Sequence, residues 1–300
     1  MYVILGATGN IGTALTNTLL ARGEKVRAVG RDECKLRKFA NRGAEIFATD
    51  ISDTEKLAQA FSGARAAFLM IPPSMTSADY LADQKKYSDS ISAAVRESGL
   101  QYAVNLSSYG AQAPAGGGPI SGLHFCEQNL NAIENLNVLH LRAAYFMENH
   151  LQGIGLIQTM GLYGGAIKGD LKIPHIATRD VAAAAVEHLV NLDFSGKQIK
   201  ELQGERDLSM NEATAILGRG IAKPDLYYMQ FPYEQVEQVM VQMGIPQKTA
   251  ALYVEMCDGM NKGVVATEEP RSAENTTPTS FETFVQDVFV PAYRGQAATA

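Results

Sequence analysis

The stretch MYVILGATGNIG, residues 1–12, takes the chain from a short apolar run directly into three glycines with the spacing Gly-x-x-Gly-x-x-Gly. The run Tyr2–Leu5 predicts a buried β-strand, and Ile11, Leu15 and Leu19 then recur at the spacing of a helix face. The three glycines are therefore predicted to lie on a turn that joins a strand to a helix.

Such a turn has the properties of a dinucleotide site. Glycines allow a tight bend, close approach of a ligand to the backbone, and close packing of the helix on the strand. The start of the helix offers free N–H groups and the positive end of the helix dipole to a pyrophosphate. The alternative is that the glycines form a turn that binds no ligand. The residues predicted to contact the cofactor here are Gly6, Thr8, Gly9, Asn10, Ile11 and Gly12.

The composition limits the classes of function. The chain has 300 residues, a net charge of −6 and a pI near 5.5, which argues against direct nucleic-acid binding because phosphate backbones need a basic surface. No apolar run is long enough to span a bilayer, and no signal peptide is expected because the first strand starts at residue 2. Three scattered cysteines and five unpaired histidines predict a cytoplasmic protein without a metal site.

Strand and helix patterns alternate through the first half of the chain. The predicted strands are Tyr2–Leu5, Lys25–Val29, Glu45–Ala48, Ala66–Ile71, Gln101–Leu106 and Asn137–Leu141. The predicted helices between them are Thr54–Phe61, Thr76–Glu97 and Leu123–Ile133. This alternation predicts an α/β fold with a doubly wound parallel sheet of the Rossmann type, in which ligands bind beyond the carboxyl ends of the strands.

Beyond residue 150 the pattern changes. A helix over Ala177–Val190 and a strand over Lys197–Leu202 are predicted, residues 208–261 are mostly helical in pattern, and residues 295–300 are predicted to fray. We therefore expect a smaller, mostly helical lobe that completes the cleft. The predicted division is an NADP-binding Rossmann domain over residues 1–155 with 176–203, and a substrate lobe over residues 204–292 with 156–175.

The end of the second strand predicts which dinucleotide is bound. An acidic residue there would pair with the ribose hydroxyls of NAD, whereas a small residue followed by arginine suits the 2′-phosphate of NADP. Here Gly30 stands at the acidic position, Arg31 can hold a phosphate through two N–H groups, and Lys35 adds charge. The alternative is that Arg31 is a surface residue paired with Asp32 or Glu33. The predicted cofactor is NADP(H).

The ends of the third and fourth strands supply further candidate contacts. Asp50 is placed to accept a hydrogen bond from the adenine amino group, or else it is a loop cap for Thr54 and its neighbours. Ile51, Ile71 and Pro72 follow the same strand ends and are predicted to border the cofactor.

Several segments together resemble the NmrA-like branch of the atypical short-chain dehydrogenase/reductase superfamily. They are GATGNIG (6–12), VRAVGRD (26–32), ATDISD (48–53), FLMIPP (68–73), NLSSYGA (105–111), HFCEQNL (124–130), LRAAYFMENHL (141–151) and IATRDVA (176–182). The resemblance implies one of two functions. Some such proteins are NADPH-dependent reductases of quinones, azo dyes or phenylpropanoids, and others are redox sensors that bind the dinucleotide and regulate a partner.

The chain departs from the superfamily in its proton donor. The usual pair is Tyr-x-x-x-Lys, in which tyrosine protonates the nascent alkoxide and lysine lowers the pKa of that tyrosine. No tyrosine here has a lysine four residues later: Tyr109 is followed at that spacing by Ala113, and Tyr145 by Asn149. Alcohol dehydrogenation and sugar-nucleotide epimerisation are therefore disfavoured, and hydride transfer to a quinone-like acceptor remains.

His124 is the candidate acid for such a transfer. It begins the helix after a Gly-rich loop, where the resemblance implies a functional lysine in aromatic-alkene reductases, and imidazole exchanges a proton in the physiological pH range. Glu127, three residues later on the same helix face, is expected to orient it. The alternative is that His124 is bonded to backbone at the helix start.

Three residues are candidates to contact the nicotinamide. Ser107 either binds its amide or ribose or ends the fifth strand, while Tyr145 and Phe146 follow the sixth strand and pack on the ring or in the core.

The favoured function is NADPH-dependent reduction of a small planar acceptor such as a quinone. The alternative is a non-catalytic NADP(H) sensor, and a homodimer or a regulatory protein partner is open.

Overall fold

The computed structural model describes residues 1–295, so residues 296–300 of the predicted frayed end lie outside the described part. The strands in chain order are β1 (Tyr2–Leu5), β2 (Val26–Gly30), β3 (Glu45–Ala48), β4 (Ala66–Leu69), β5 (Tyr102–Ser108), β6 (Asn137–Ala143), β7 (Tyr145–Phe146), β8 (Tyr163–Gly165), β9 (Ile173–Ile176), β10 (Lys197–Leu202), β11 (Asp207–Leu208) and β12 (Tyr228–Gln230).

The helices surround these strands. In chain order they are α1 (Asn10–Ala21), α2 (Glu33–Ala40), α3 (Thr54–Phe61), α4 (Tyr80–Ser98), α5 (Ile120–Asn131), α6 (Ile154–Met160), α7 (Thr178–Asn191), α8 (Met210–Gly220), α9 (Tyr233–Gln242), α10 (Gln247–Lys262), α11 (Phe281–Phe284) and α12 (Val290–Tyr293). A 3₁₀ segment covers Met147–Gly153, and a π-helical turn covers Val285–Phe289. Helix α4 starts at Tyr80 rather than at the predicted residue 76, because Asp79 caps it by accepting from the N–H of Ala82.

A seven-stranded parallel sheet forms the centre, in the order β10-β6-β5-β4-β1-β2-β3. The chain order reverses between β1 and β4. From β1 the chain adds β2 and β3 towards one edge of the sheet, and from β4 it adds β5, β6 and β10 towards the other. A crevice opens at such a switch point beyond the carboxyl ends of the strands. The predicted α/β Rossmann fold with a helical C-terminal part is confirmed.

Strand β1 shows how the sheet is buried on both faces. Tyr2 and Ile4 point to one side, where they pack in a core with α1 and α7. Val3 and Leu5 point to the other side, towards a core that includes α3, α4 and α5. The alternation follows from the period of two along a strand, and the continuous apolar run follows from burial on both faces.

The lobe beyond β6 is built from short pieces. Strands β11, β9 and β7 form one small sheet, and β12 pairs with β8 in another. These strands of two to four residues were not predicted, because such short runs show no period. Helix α7 packs on α1, and β10 pairs with β6, so the chain returns from the lobe to the central sheet before entering the lobe again. The domain bounds themselves remain a prediction.

Residues 264–280, here called the strap, lie between α10 and α11 and cross the carboxyl ends of several strands. The Glu201 carboxylate of β10 accepts the N–H groups of Glu268 and Glu269 at 2.9 and 3.1 Å. Asp180 of α7 accepts from the N–H and the hydroxyl of Thr279 at 2.9 and 2.6 Å. The strap therefore fastens the lobe to the sheet layer. Within residues 1–295, no helix is long and apolar enough to cross a membrane.

Candidate cofactor and active site

The glycine turn after β1 has the geometry that the sequence predicts. Gly6 has φ +68°, a left-handed conformation that side chains other than glycine rarely adopt. A Cβ atom on Gly12 would lie 2.2 Å from the carbonyl oxygen of Gly6, so this position packs the helix directly on the turn. A Cβ atom on Gly9 would lie 3.5 Å from the same oxygen, which is ordinary contact. The exposed face of the turn is thus formed by Gly9, the residue that caps α1 without a side-chain bond.

A cavity of about 280 Å³ opens beside this turn at the switch point. Its walls come from the ends of β1, β2, β3 and β4 and from one residue of α4. The lining residues are Leu5, Gly6, Thr8, Gly9, Val29, Gly30, Arg31, Thr49, Asp50, Ile51, Met70, Pro72, Pro73 and Tyr87. The structure thus brings together seven predicted cofactor residues: Gly6, Thr8, Gly9, Arg31, Asp50, Ile51 and Pro72. Apolar walls with a few polar groups are typical of small-molecule and cofactor sites.

The remaining residues of the predicted set lie around this cavity. Asn10 is exposed at the first turn of α1, where its N–H group has no side-chain cap. The side chain of Ile11 is buried in the core, so only its backbone is available to a ligand, and Gly12 is buried behind it. Ile71 is also buried, in the core on the opposite face of the sheet.

Arg31 is exposed at the cavity mouth, near the Asp50 carboxylate. Asp32 caps α2 by accepting from the N–H of Lys35, whose ammonium lies 3.9 Å from the same carboxylate. Glu33 pairs with Arg37 at 3.7 Å. The two acids that could have neutralised Arg31 thus face other cations, and within residues 1–295 Arg31 has no ion pair of 4 Å or less. This arrangement leaves the guanidinium available to a phosphate.

Asp50 lies at the same end of the cavity. Its Oδ1 accepts from the N–H and the hydroxyl of Ser52 at 2.9 and 2.7 Å. Partial burial opposes its ionisation, but these two hydrogen bonds and the charge of Arg31 outweigh that effect and lower the pKa of Asp50. The carboxylate is therefore ionised and keeps an oxygen for a ligand. The alternative role as a loop cap is present at Ser52, a neighbour of Thr54, whereas the Thr54 hydroxyl bonds Ser90.

Ser107, at the end of β5, belongs to a buried ionic network. Its hydroxyl donates to Glu127 at 2.6 Å, and Arg142 of β6 donates to both oxygens of Glu127 at 3.0 and 2.8 Å. Arg142 also bonds Glu268 of the strap at 2.5 Å. Burial opposes the charge on Glu127, but the hydrogen bond and charge of Arg142 prevail and lower the pKa of Glu127. Because the Ser107 proton is committed to Glu127, its oxygen can only accept from a ligand.

His124 is half-buried and is the fifth residue of α5, so the expectation that it begins this helix is wrong. Its Nδ1 is 2.8 Å from the carbonyl oxygen of Ala111, so Nδ1 carries a proton and donates to that oxygen. The expectation that Glu127 orients His124 is wrong, since Glu127 turns inward to Arg142 and the Ala111 carbonyl orients the ring instead. The backbone bond given as the alternative is present, and Nε2 is left to act on a ligand.

Tyr145 and Phe146 follow β6 and are both half-buried. Phe146 packs on the core that holds α1 and α7, while Tyr145 contacts the rings of two histidines of the lobe. Glu148, two residues later, accepts from the N–H of Thr178 at 3.0 Å and from its hydroxyl at 2.5 Å. A carboxylate at the start of α7 is favoured by the helix dipole. It joins the segment after β6 to a helix of the sheet layer.

Two buried imidazoles lie beneath Tyr145. The rings of His150 and His175 are stacked at 5.3 Å and 17°, and both touch Phe281. His175 donates from Nδ1 to the carbonyl of Ile173 at 2.9 Å, but its Nε2 and both nitrogens of His150 have no partner within residues 1–295. Burial lowers the pKa of His175 to about 4 and that of His150 well below its usual range. Both rings are therefore neutral near pH 7.

Sequence reasoning missed several walls of the cavity. Met70 and Tyr87 line it, yet Met70 follows an apolar strand and Tyr87 is one position on a long amphipathic helix. Neither carries a motif, and only the strand order brings them to the turn. The described residues contain no group of three or more His, Cys, Asp or Glu side chains that could hold a metal ion.

These features define a dinucleotide-binding Rossmann protein. The sequence profile of the NmrA-like family matches residues 2–285, so the chain belongs to the NmrA-like family, and the expected resemblance is confirmed. An NAD(P)H azoreductase from Xenophilus azovorans is 25% identical over 252 residues, which are 83% of this chain and 84% of that protein.

Two solved structures show the same fold. An NADPH-dependent quinone oxidoreductase from Escherichia coli, in complex with NADPH, aligns with a TM-score of 0.81 at 21% identity, over 96% of this chain and 100% of that one. NmrA, a negative transcriptional regulator in complex with NADP, aligns with a TM-score of 0.68 at 16% identity, over 98% of this chain and 97% of that one. A catalytic protein and a regulatory protein thus share this architecture, and the fold alone does not separate their functions.

Proposed function

We propose that the protein is an NADPH-dependent oxidoreductase that transfers hydride to a small planar acceptor such as a quinone. The observation that carries the proposal is that Arg31, beside Gly30, has no ion pair of 4 Å or less within residues 1–295 and lies at the mouth of a cavity that also contains the glycine turn. The similarity to an NAD(P)H azoreductase over most of both chains supports the reductase class.

The residues of this chain would hold the cofactor in an extended position. The glycine turn and the free N–H groups of α1 face the pyrophosphate, Arg31 binds the 2′-phosphate, and Asp50 accepts from the adenine amino group. Ser107 accepts from the nicotinamide amide, and Tyr145 packs near the ring. When bound, NADPH supplies the hydride.

His124 supplies the proton in this scheme. Because Nδ1–H is held by the Ala111 carbonyl, Nε2 carries a proton only in the imidazolium form, and that form is the acid. The Ala111 bond also keeps the ring in one orientation while the proton leaves. The acceptor must therefore meet a protonated His124.

Arg31→Ala is expected to change the choice of dinucleotide. Loss of the phosphate contact should weaken NADPH binding about 10- to 100-fold and leave NADH binding unchanged, since a charge-assisted hydrogen bond is worth about 1.5–3 kcal/mol. Titration calorimetry with both dinucleotides would measure this. Lys35→Ala is the matched comparison, because the Lys35 ammonium already faces Asp32 and does not line the cavity. Equal losses of NADPH affinity in both variants would contradict the role of Arg31.

His124→Gln is expected to lower kcat about 100-fold or more while the dissociation constant of NADPH stays the same, as removal of a general acid does. A glutamine amide can still donate to the Ala111 carbonyl but cannot gain or lose a proton. Stopped-flow oxidation of NADPH would measure kcat in both proteins, and an unchanged kcat would remove His124 from the mechanism.

The reductase proposal itself is tested by NADPH oxidation in the presence of quinones and azo dyes, with NADH in parallel. Turnover that favours NADPH is the expected result. Binding of NADPH without oxidation by any acceptor would instead support the non-catalytic sensor, whose architecture the regulator NmrA shares.

A further inference from the structure

Tyr109 carries a buried hydroxyl group that the fold does not use. The residue directly follows β5, and its N–H donates to the carbonyl of Ala143 at the end of β6 at 3.1 Å. Its side chain is 3% exposed, and its hydroxyl has no hydrogen-bond partner within residues 1–295. A buried polar group without a partner lowers stability, so its retention needs an explanation.

The backbone places Tyr109 on the turn that orients the proposed acid. Tyr109 and Ala111 lie on the same turn, and the carbonyl of Ala111 accepts from His124. Tyr145, which follows the neighbouring strand, is packed in the same cluster as Tyr109. Tyr109 and the predicted nicotinamide contact Tyr145 therefore share one cluster beyond the carboxyl ends of β5 and β6, and the adjoining turn holds His124.

The opposite wall is formed by adaptable side chains of α10. Met260 is buried against Tyr109, and Met256 and Cys257 pack beside it half-buried. Unbranched methionine side chains rearrange at low cost, so this wall can make room for a flat apolar ligand. The Tyr109 hydroxyl is therefore a buried donor among apolar side chains that can move aside.

We infer that Tyr109 is a further catalytic residue, whose neutral hydroxyl donates a hydrogen bond to the carbonyl oxygen of the planar acceptor. The inference rests on the proposed reductase function. The acceptor takes a hydride from bound NADPH, which leaves NADP⁺, and its oxygen becomes an oxyanion. The His124 imidazolium then gives that oxygen a proton, and Tyr109 keeps its own.

The electrostatics of the cluster agree with this division of roles. Burial, and then the neighbouring Tyr145 and Cys257, raise the pKa of Tyr109 far above its usual value. The phenol is therefore a poor proton donor but a permanent hydrogen-bond donor. A donor held ready in a water-poor site stabilises charge that develops in the transition state.

Tyr109→Phe tests the inference, with Tyr2→Phe as the matched control. Tyr2 is 1% exposed and its hydroxyl also has no partner, but it starts β1 at the opposite, amino end of the sheet. Both variants should keep or raise the melting temperature, because each removes an unpartnered hydroxyl. Only Tyr109→Phe should lower kcat for NADPH oxidation, by about 100-fold, with unchanged NADPH affinity. An unchanged kcat in Tyr109→Phe would overturn the inference.

A binding measurement separates this inference from the reductase proposal. Calorimetry would compare menadione with 2-methylnaphthalene, which lacks the carbonyl groups, on the protein saturated with NADP⁺. The wild-type protein should prefer menadione, and Tyr109→Phe should lose the preference while Tyr2→Phe keeps it. If the wild-type protein oxidises no NADPH, the reductase proposal fails, and this comparison alone decides the role of Tyr109. A wild-type protein without the preference would overturn that role.

Discussion

Gly12→Ala is expected to destabilise the whole fold, whereas Gly9→Ala, three residues away, is expected to leave the fold intact and weaken dinucleotide binding. A Cβ atom at Gly12 would lie 2.2 Å from the oxygen and 2.8 Å from the carbon of the Gly6 carbonyl. These are backbone atoms and cannot rotate away, so α1 must shift off β1. We expect a loss of ~3 kcal/mol in the free energy of unfolding, at the upper end for overpacking.

At Gly9 the reasoning is different. Its φ of −79° suits alanine, and the nearest atom to an added Cβ is 3.5 Å away, so stability should hold. The added methyl group occupies the face on which a pyrophosphate would rest, and NADPH affinity should fall about tenfold or more, which is at least ~1.4 kcal/mol. Urea denaturation and NADPH titration of both variants check the pair. Equal stability losses at the two positions would contradict this account of the turn.

Stability is also expected to fall in mild acid because of His150 and His175. The folded-state pKa of His175 is about 4, below the value of about 6.5 in an unfolded chain, so the folded state binds fewer protons. The free energy of unfolding therefore keeps the full contribution of the neutral ring above pH ~6.5 and loses it as pH falls towards 4. For His175 alone the loss amounts to ~3 kcal/mol, and His150 adds to it because its pKa is lowered in the same direction.

His150→Phe tests this expectation. Neither nitrogen of His150 has a partner within the described residues, so phenylalanine removes the titration without breaking a bond that the structure contains. The free energy of unfolding of the variant should depend less steeply on pH between 6.5 and 5 than that of the wild-type protein. Glu127 does not contribute to this pH dependence. Its pKa is lowered, so the stability that its charge supports is lost only below the ordinary value of 4.5. Parallel pH profiles would show that the stacked pair does not control acid stability.

The strands of the central sheet and the glycine turn could be predicted from the sequence because each is local. A buried strand, a turn with a required left-handed residue and a helix start all leave their pattern within a dozen positions. Helix α2 was not predicted because Glu33–Ala40 is short and half of its residues are charged, and only Leu36 and Phe39 in it are buried. Helix propensity and hydrophobic periodicity give only a weak signal over eight residues.

The interior of the site could not be predicted because its contacts join distant positions. Spacing along one helix suggested that Glu127 serves His124, but the partner of Glu127 is Arg142, on the next strand of the sheet. The stack of His150 and His175 likewise depends on how the lobe packs. Sequence spacing reports neighbours on one element, whereas buried charges are paired by whichever element lies across the core.

The strap limits how ligand binding in the cleft can change the structure of the rest of the molecule. The lobe is attached to the sheet layer at its entry, where Glu148 holds the start of α7, and at its exit, where Glu201 and Asp180 hold the strap. A wide opening of the lobe would break hydrogen bonds to the buried carboxylates Glu201 and Asp180, which carries a cost in free energy. We therefore expect ligand binding to reach the outer surface as small adjustments of side chains and helix positions, and a partner protein that senses the cofactor would recognise a subtly altered face.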